Sequence, residues 1–344
     1  MGVAYSHLPD SPGTLKFIVA DTQGRELGYL KKNISIDMDL GDTNDFELEV
    51  NTDAWDEALY SWGHRIFIPG TEYGGLLEER KTSASDGTGR WIGYTWRGLL
   101  NQKIVQPPAG QTHLTVSGEM NQIIREVIGG RFGSLFTGSA EDSGIYVDSY
   151  QFEPYCTLLD GLTRLLSAQN ARLSIYYEQG EPAGPGGQIC VCAVPAADWS
   201  DELEYSQDGK MSFATQDYRR GINHLICVGK KNDDERAVLH LYVQKDGTIG
   251  DARHYYGLDE REAVYHASSS DPDQLRENGT ERLLKLMNWK QMEVTVNDID
   301  IAIGDIVGGR DRITGMTLQK PVVNKVLRFD SGIMSVEYKL KGEE

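Results

Sequence analysis

Two neighbouring segments of this chain alternate strictly between apolar and polar residues. They are Ile34–Leu40 and residues 46–50, and a turn-like stretch rich in Asp, Asn and Gly separates them. Side chains along a β-strand point alternately to opposite faces, so this pattern predicts an antiparallel hairpin with one buried face. The opposite face is predicted to carry four carboxylates. They belong to Asp37, Asp39, Glu47 and Glu49.

The region that follows, residues 63–108, has the pattern of further short antiparallel strands joined by turns. Glycine-rich residues 85–89 predict a hairpin turn, residues 97–100 a helical corner, and Pro107 ends the run. The predicted strands lie at residues 64–68, 74–80, 91–96 and 103–105. Such an order is typical of a small β-barrel or sandwich.

A block with a different periodicity interrupts this β pattern. Residues 117–128 and 158–166 have apolar residues at helical spacing, and the first of these segments stops at Gly129. Strands are predicted at residues 172–177 and around Cys190. We interpret residues 109–205 as an α+β domain inserted into a first barrel that begins at residues 1–108 and returns at residues 206–230.

Residues 231–344 are predicted to form a second β-barrel domain, which includes one long helix. Asp271 and Pro272 supply a cap and a first-turn residue for a helix over about 271–289. The predicted apolar positions of this helix are Leu275, Leu283, Leu284, Leu286 and Met287. The fold class expected from the sequence is therefore mixed and mainly β, with two small tube-type barrels, the α+β insertion and one helix before the last barrel.

These segments, taken in order, resemble the N-terminal part of the Gp37-like family of phage tail proteins. The resemblance rests on the acidic hairpin, an acidic-start helix at residues 52–59, Arg-Ile-Phe-Ile at 65–68, Gly-Gly-Leu-Leu-Glu-Glu at 74–79 and Tyr-Thr-Trp-Arg-Gly-Leu-Leu at 94–100. Residues 301–307, 311–316 and 322–326 are similar to the second barrel of baseplate hub, or tail-associated, proteins of long-tailed phages and phage-derived contractile particles.

The resemblance implies a virion structural protein, in a phage or prophage, and not an enzyme. Three copies would form a ring at the tail tip around the channel for DNA or effectors. The implied partners are the tail tube or a distal tail protein on one side, and a spike, fibre or cell-wall hydrolase on the other. The protein would be made in the host cytoplasm and then reside in the virion or phage-like particle.

The charge of the chain bears on what it can bind. Lys and Arg number 34 against 52 Asp and Glu, which makes the formal net charge −18. This balance argues against sequence-specific or phosphate-neutralising contact with nucleic acid. The four carboxylates of the hairpin could line a channel and repel passing DNA. The alternative is an ordinary solvated face of an acidic protein.

Membrane insertion is not expected from the sequence. No apolar run approaches the roughly 20 residues of a spanning helix. The first residues also lack a basic region followed by an apolar core, so we expect a protein that stays soluble after synthesis.

The cysteines and histidines predict no cofactor or metal. Cys190 and Cys192 share one strand face and are expected as core thiols, and Cys156 and Cys227 are scattered. His224 and His240 lie inside strand patterns, where structural imidazoles are common. The sequence therefore predicts no metal site and no catalytic residue.

Two other functions remain open at this stage. A peptidoglycan- or carbohydrate-active enzyme of a mobile element would use a carboxylate pair, which an acidic chain also generates by chance. A glycan-binding module would stack sugars on exposed aromatic residues. We expect packing at a core or subunit interface instead, and the candidate interface residues are Trp91, Tyr94, Trp96 and Arg97.

Overall fold

The computed structural model describes residues 16–30, 34–83, 87–180, 186–200, 211–232, 235–267, 272–296, 301–310, 317–330 and 333–340. The fold is mainly β, as the sequence predicts. The chain forms two compact units. Unit 1 comprises the described residues within 1–213 and 294–340, and unit 2 comprises those within 214–293.

Strands and helices are numbered in chain order. The strands of the first half are β1 (Ile18–Ala20), β2 (Glu26–Tyr29), β3 (Ile34–Leu40), β4 (Asp45–Asn51), β5 (Arg65–Phe67), β6 (Gly74–Leu76), β7 (Glu79–Ser83), β8 (Thr88–Tyr94), β9 (Thr115–Glu119), β10 (Phe136–Gly138) and β11 (Tyr146–Gln151). Those of the second half are β12 (Ala171–Glu178), β13 (Gln188–Pro195), β14 (Met211–Tyr218), β15 (His224–Asn232), β16 (Glu235–Val243), β17 (Ile249–Gly250), β18 (Glu262–His266), β19 (Trp289–Val296), β20 (Ile306–Arg310), β21 (Thr317–Asp330) and β22 (Ile333–Leu340). The helices are α1 (Trp96–Asn101), α2 (Met120–Ile128), α3 (Leu158–Ser167) and α4 (Pro272–Leu286).

The predicted acidic hairpin is confirmed. Strands β3 and β4 pair antiparallel, with Met38 opposite Phe46 and Ile36 opposite Leu48. These four side chains are at most 2% exposed, so the apolar positions form one buried face. The polar positions between them therefore point to the other side of the sheet.

The hairpin lies in the middle of an antiparallel sheet that also contains the C-terminal strands. Within unit 1 the order is β22-β21-β3-β4-β8-β7, and β20 pairs with the other part of β21. Leu327 of β21 stands opposite Met38 and is fully buried. From the sequence alone, this C-terminal segment was expected in a second barrel. Pairing between strands so distant in sequence has no local signal, because alternation shows that a strand exists but not which strand it joins.

In the N-terminal region, several elements of the structure differ from the predicted ones. The single strand expected at residues 74–80 is two strands, because β6 pairs with β5 in a separate β2-β1-β5-β6 sheet while β7 pairs with β8. The helix expected at residues 52–59 is a short 3-10 turn at Thr52–Ala54. Ile104 makes an isolated bridge to Thr157 in place of the strand expected there. The helical corner is present as α1.

The segment predicted as an α+β block combines strands and helices within unit 1. Strands β10, β13 and β12 form one sheet, β9 and β11 form another, and helices α2 and α3 bury their apolar residues in the same core. The Glu119 carboxylate caps α2 by accepting hydrogen bonds from the amides of Asn121 and Gln122. The helix ends at Gly129, whose φ of 48° lies in the left-handed region that glycine adopts readily.

Unit 2 is a small sheet packed against the predicted long helix, which is confirmed as α4. The sheet order is β17-β16-β15-β18. Leu275 and Leu283 of α4 pack with Leu225, Cys227 and Leu241 of the sheet. The sequence predicted that residues 206–230 return to the first barrel, but β15, which begins within that range, belongs to unit 2. Of the predicted helix residues, Leu284 is 37% exposed, and the proposed cap Asp271 lies outside the described residues.

The described strand pairings do not close either sheet system into a barrel, so barrel closure stays a prediction. The boundaries between the two units fall inside β14 and β19. Among the described residues, no helix combines the length and apolarity needed to cross a membrane.

We expect Val322→Ala to destabilise unit 1 and Val323→Ala to be nearly neutral. Val322 is 1% exposed and Val323, its neighbour on β21, is 40% exposed. Loss of two buried methyl groups costs about 1.5–3 kcal/mol. Urea unfolding followed by circular dichroism measures the difference. Equal stabilities of the two variants would contradict the inclusion of β21 in the core of unit 1.

Candidate functional site

The outer side of the main sheet of unit 1 carries a ladder of charged side chains. We call Asp37, Glu47, Glu49, Arg90 and Arg328 the charged sheet face. Asp37 stands directly opposite Glu47 on β4 and opposite Arg328 on β21. Glu49 stands opposite Arg90 on β8. The pairing therefore brings three of the four predicted acids together and adds two arginines that the sequence analysis did not include.

The arginines interrupt the repulsion between the acids. Arg90 Nε lies 2.9 Å from Glu49 Oε2, and its Nη1 lies 3.2 Å from Glu47 Oε1. Arg328 Nε lies 3.5 Å from Asp37 Oδ2. Like charges directly opposite each other destabilise a sheet, so cations beside Asp37 and Glu47 offset that cost. The face is a mixed charge ladder with an excess of acid.

Asp39 differs from the other three acids. Its Oδ1 accepts hydrogen bonds from the backbone amides of Asp42 and Thr43, each at 3.0 Å. Its Oδ2 accepts a hydrogen bond of 2.8 Å from the side-chain amide of Asn324. This carboxylate stabilises the turn of the hairpin and its contact with β21. Asp39 was expected with the other acids on a channel-lining face because alternation alone does not reveal such local bonds.

The aromatic residues proposed for an interface lie mostly inside the chain. Trp91 and Trp96 are fully buried, and Trp91 is stacked on Trp55 with ring centroids 6.2 Å apart. Arg97 is 4% exposed. Such residues have almost no surface to offer a second chain or a sugar, so these three pack in the interior of the chain and not at an interface. Tyr94 is 40% exposed, so its ring is accessible for contact with a second chain.

Arg97 belongs to a buried ion cluster with Glu72 and Lys325. Its Nε lies 2.8 Å from Glu72 Oε2, and Lys325 Nζ lies 2.9 Å from Glu72 Oε1. The side chains of all three are no more than 9% exposed. Lys325 Nζ also lies 4.6 Å from the centre of the Tyr73 ring. Burial alone would raise the pKa of Glu72, but the two cations lower it to about 2.

A second buried pair lies close to the first. Arg172 Nε donates to Asp305 Oδ1 at 2.6 Å, and the same oxygen accepts from the backbone amide of Ala197 at 2.9 Å. Glu72, Arg97, Arg172 and Lys325 all border a cavity of about 30 Å³. A space of that size suits about one water molecule and excludes a substrate. The cluster therefore has a structural role: it connects strands, a helix and turns that lie far apart in sequence.

The groups able to bind metal or act as nucleophiles lie elsewhere. His224, Glu260 and Glu262 of unit 2 form a group of possible metal ligands among the described residues. Glu260 and Glu262 are 36 and 38 positions beyond His224 in the chain, so motif spacing did not reveal the group. Cys190 and Cys192 are buried as predicted, and burial raises the pKa of Cys192 to about 11, which keeps it a neutral thiol.

The comparisons with known proteins return structures of tail proteins. A 43 kDa tail protein of prophage MuSo2 from Shewanella oneidensis is 13% identical, with 95% of this chain and 97% of that chain covered at a TM-score of 0.48. Prophage tail protein gp18 from Listeria monocytogenes is 12% identical, with 96% and 94% covered at 0.47. A tail protein from Neisseria meningitidis is 13% identical, with 95% and 97% covered at 0.43.

No family model matches the sequence, and no curated protein matches it. TM-scores below 0.5 do not establish a shared fold. The assignment to the Gp37-like family therefore stays a prediction from the sequence.

We expect Glu72→Gln to destabilise unit 1 strongly. The substitution leaves Arg97 and Lys325 buried without a counter-charge, and breaking a buried ion pair in this way costs about 3–5 kcal/mol. Glu79→Gln is the matched control, because Glu79 pairs with Lys81 at the surface and its side chain is 57% exposed. Urea unfolding at pH 7 compares the two variants. A Glu72→Gln variant as stable as Glu79→Gln would show that the ion cluster does not stabilise unit 1.

The same carboxyl predicts a pH dependence. The pKa of Glu72 is about 2 in the folded chain, against the ordinary glutamate value of 4.5. The depressed value contributes stability above pH 4.5, and that contribution is lost as the pH falls from 4.5 towards 2. The stability difference between wild type and Glu72→Gln should therefore narrow over this range. A difference that stays constant down to pH 2 would contradict the ionised state assigned to Glu72.

A double-mutant cycle tests the charged sheet face. Arg90→Gln, Glu49→Gln and the double variant should give a coupling free energy of about 0.2–1 kcal/mol at low ionic strength. The coupling should shrink at high salt because exposed charges are screened. Thermal unfolding at two salt concentrations measures it. Zero coupling at low salt would mean that the pair does not stabilise the sheet.

Proposed function

We propose that this chain is a structural protein of a phage tail tip or baseplate, or of a phage-derived contractile particle. The supporting observation is the arrangement of the segments that resemble the Gp37-like family. The acidic hairpin β3–β4, the aromatic strand β8 and the helical corner α1 follow one another as the resemblance implies. The solved structures named above are tail proteins, which agrees with the proposal without adding support to it.

In this proposal three chains form a ring at the distal end of a tail. One side of the ring binds the tail tube or a distal tail protein, and the other side holds a spike, fibre or cell-wall hydrolase. Closure of the two sheet systems into small barrels is part of the proposal. The exposed Tyr94 and neighbouring strand edges would contribute to contacts between chains.

The charged sheet face is proposed to line the channel of that ring. Asp37 and Glu47 have side chains 61% and 43% exposed, and carboxylates at such positions repel a phosphate backbone. Arg90 and Arg328 reduce the repulsion but do not cancel it, because Glu49 adds a third negative charge. The expected role of the face is to keep passing DNA from adhering.

The proposed location is tested by electron microscopy of particles released from producing cells. Gold-labelled antibody against this chain should bind at the distal tip of the tail. Particles from a strain that lacks the chain, with the antibody unchanged, are the control. Protein found free in the cytoplasm, with every particle unlabelled, would overturn the proposal and favour an enzyme or a glycan-binding protein.

The trimeric ring has its own test. Chemical cross-linking of purified particles, followed by mass analysis, should yield species up to three times the 38.3 kDa chain mass. A tip that gives only single chains, or a ladder that extends to six, would contradict three copies while leaving the tail location intact.

A further inference from the structure

The outer face of the unit 2 sheet carries a histidine held between two carboxylates. His224 is the first residue of β15 and stands opposite Glu262 of the parallel strand β18. Glu260 lies two residues before Glu262 and also contacts His224. On the other side, His224 stands opposite Tyr242 of β16, and the two rings are stacked with centroids 4.3 Å apart. The sheet register therefore holds His224 in place.

The three side chains direct their ligand atoms at one point. His224 Nδ1 lies 3.0 Å from Glu260 Oε1 and 2.9 Å from Glu262 Oε1, and the three atoms all lie within 4.8 Å of one another. Zinc bonds of about 2.0–2.2 Å in a tetrahedron separate neighbouring ligand atoms by roughly 3.3–3.5 Å. Outward movement of a few tenths of an ångström, on the order of side-chain thermal motion, would bring the two nitrogen–oxygen separations to those of a zinc site.

His224 and Glu260, the two buried ligands, are each held by a further side chain. His224 Nε2 lies 2.8 Å from Nδ1 of His240, so a metal on Nδ1 would place the His224 proton on Nε2, where it is donated to His240. Arg253 binds the second oxygen of Glu260, which leaves Oε1 for the site. His224 is 6% exposed at its side chain, whereas Glu262 is 56% exposed. The exposed ligand provides the entry path and room for a water ligand.

We propose that His224, Glu260 and Glu262 bind one divalent transition-metal ion, with Zn²⁺ preferred and water as the fourth ligand. One imidazole and two carboxylates suit zinc, whereas Ca²⁺ takes six to eight oxygen ligands, more than these three side chains offer. The ion would fasten the segment before β18 to β15 and so stabilise unit 2. The sequence predicted no metal site, so this proposal departs from that expectation, and it does not depend on the proposed function.

Calorimetric titration of Zn²⁺ into the full chain, after removal of metals with a chelator, tests the proposal. We expect one ion per chain and a rise in unfolding temperature on binding. Glu262→Gln should weaken binding at least tenfold, and because its side chain is 56% exposed the variant should still fold. His240→Gln should weaken binding by about 10–100-fold through loss of the partner behind His224.

Two control variants separate this site from other zinc ligands. His254→Gln and Glu281→Gln remove an exposed histidine and an exposed glutamate of unit 2 and should leave the affinity unchanged. Co²⁺ replaces Zn²⁺ in a parallel absorption measurement, because the free cysteines could also bind zinc. A spectrum without thiolate-to-cobalt charge transfer is expected. Absence of binding, binding that survives Glu262→Gln, or a thiolate band would each overturn the proposal.

Discussion

The buried ion cluster around Glu72 is the interaction on which the architecture of unit 1 depends. Glu72 lies in the turn before β6, Arg97 in α1 and Lys325 in β21, and Arg97 also donates to the backbone carbonyl of Leu173 in β12 at 3.4 Å. Removing charges from water is costly and is offset only when the partners are correctly placed. The cluster therefore specifies which distant segments meet, in addition to any stability that it contributes.

The charged side chains on the outer sheet faces are arranged differently in the two units. In unit 1 the face is a ladder in which Arg90 and Arg328 alternate with Asp37, Glu47 and Glu49, and all five side chains are at least 35% exposed. In unit 2 the corresponding feature is the compact array of His224, Glu260 and Glu262. The first arrangement spreads acids and arginines over an exposed surface. The second suits a site for one small cation, since its ligand atoms converge.

Most elements that depend on interactions between residues close in sequence were predicted correctly, whereas those that depend on distant residues were not. The hairpin β3–β4, helices α2 and α3 and the long helix α4 were predicted from periodicity and local caps. The burial of Cys190 and Cys192 also followed from their strand spacing. In contrast, the split of residues 74–80 into β6 and β7 depends on which neighbour each strand joins. The burial of Trp91, Trp96 and Arg97 depends on elements that cover them from elsewhere in the chain.

The sequence by itself determined the strand and helix segments, the buried face of the acidic hairpin and the net charge, because these depend on residue type and on spacing within a few residues. Only the tertiary structure decided that β21 completes the N-terminal sheet, that Asp39 bonds Asn324, and that His224 meets Glu260 and Glu262. Those outcomes are set by pairings across tens to hundreds of residues. Their energies depend on mutual geometry, which local spacing does not encode.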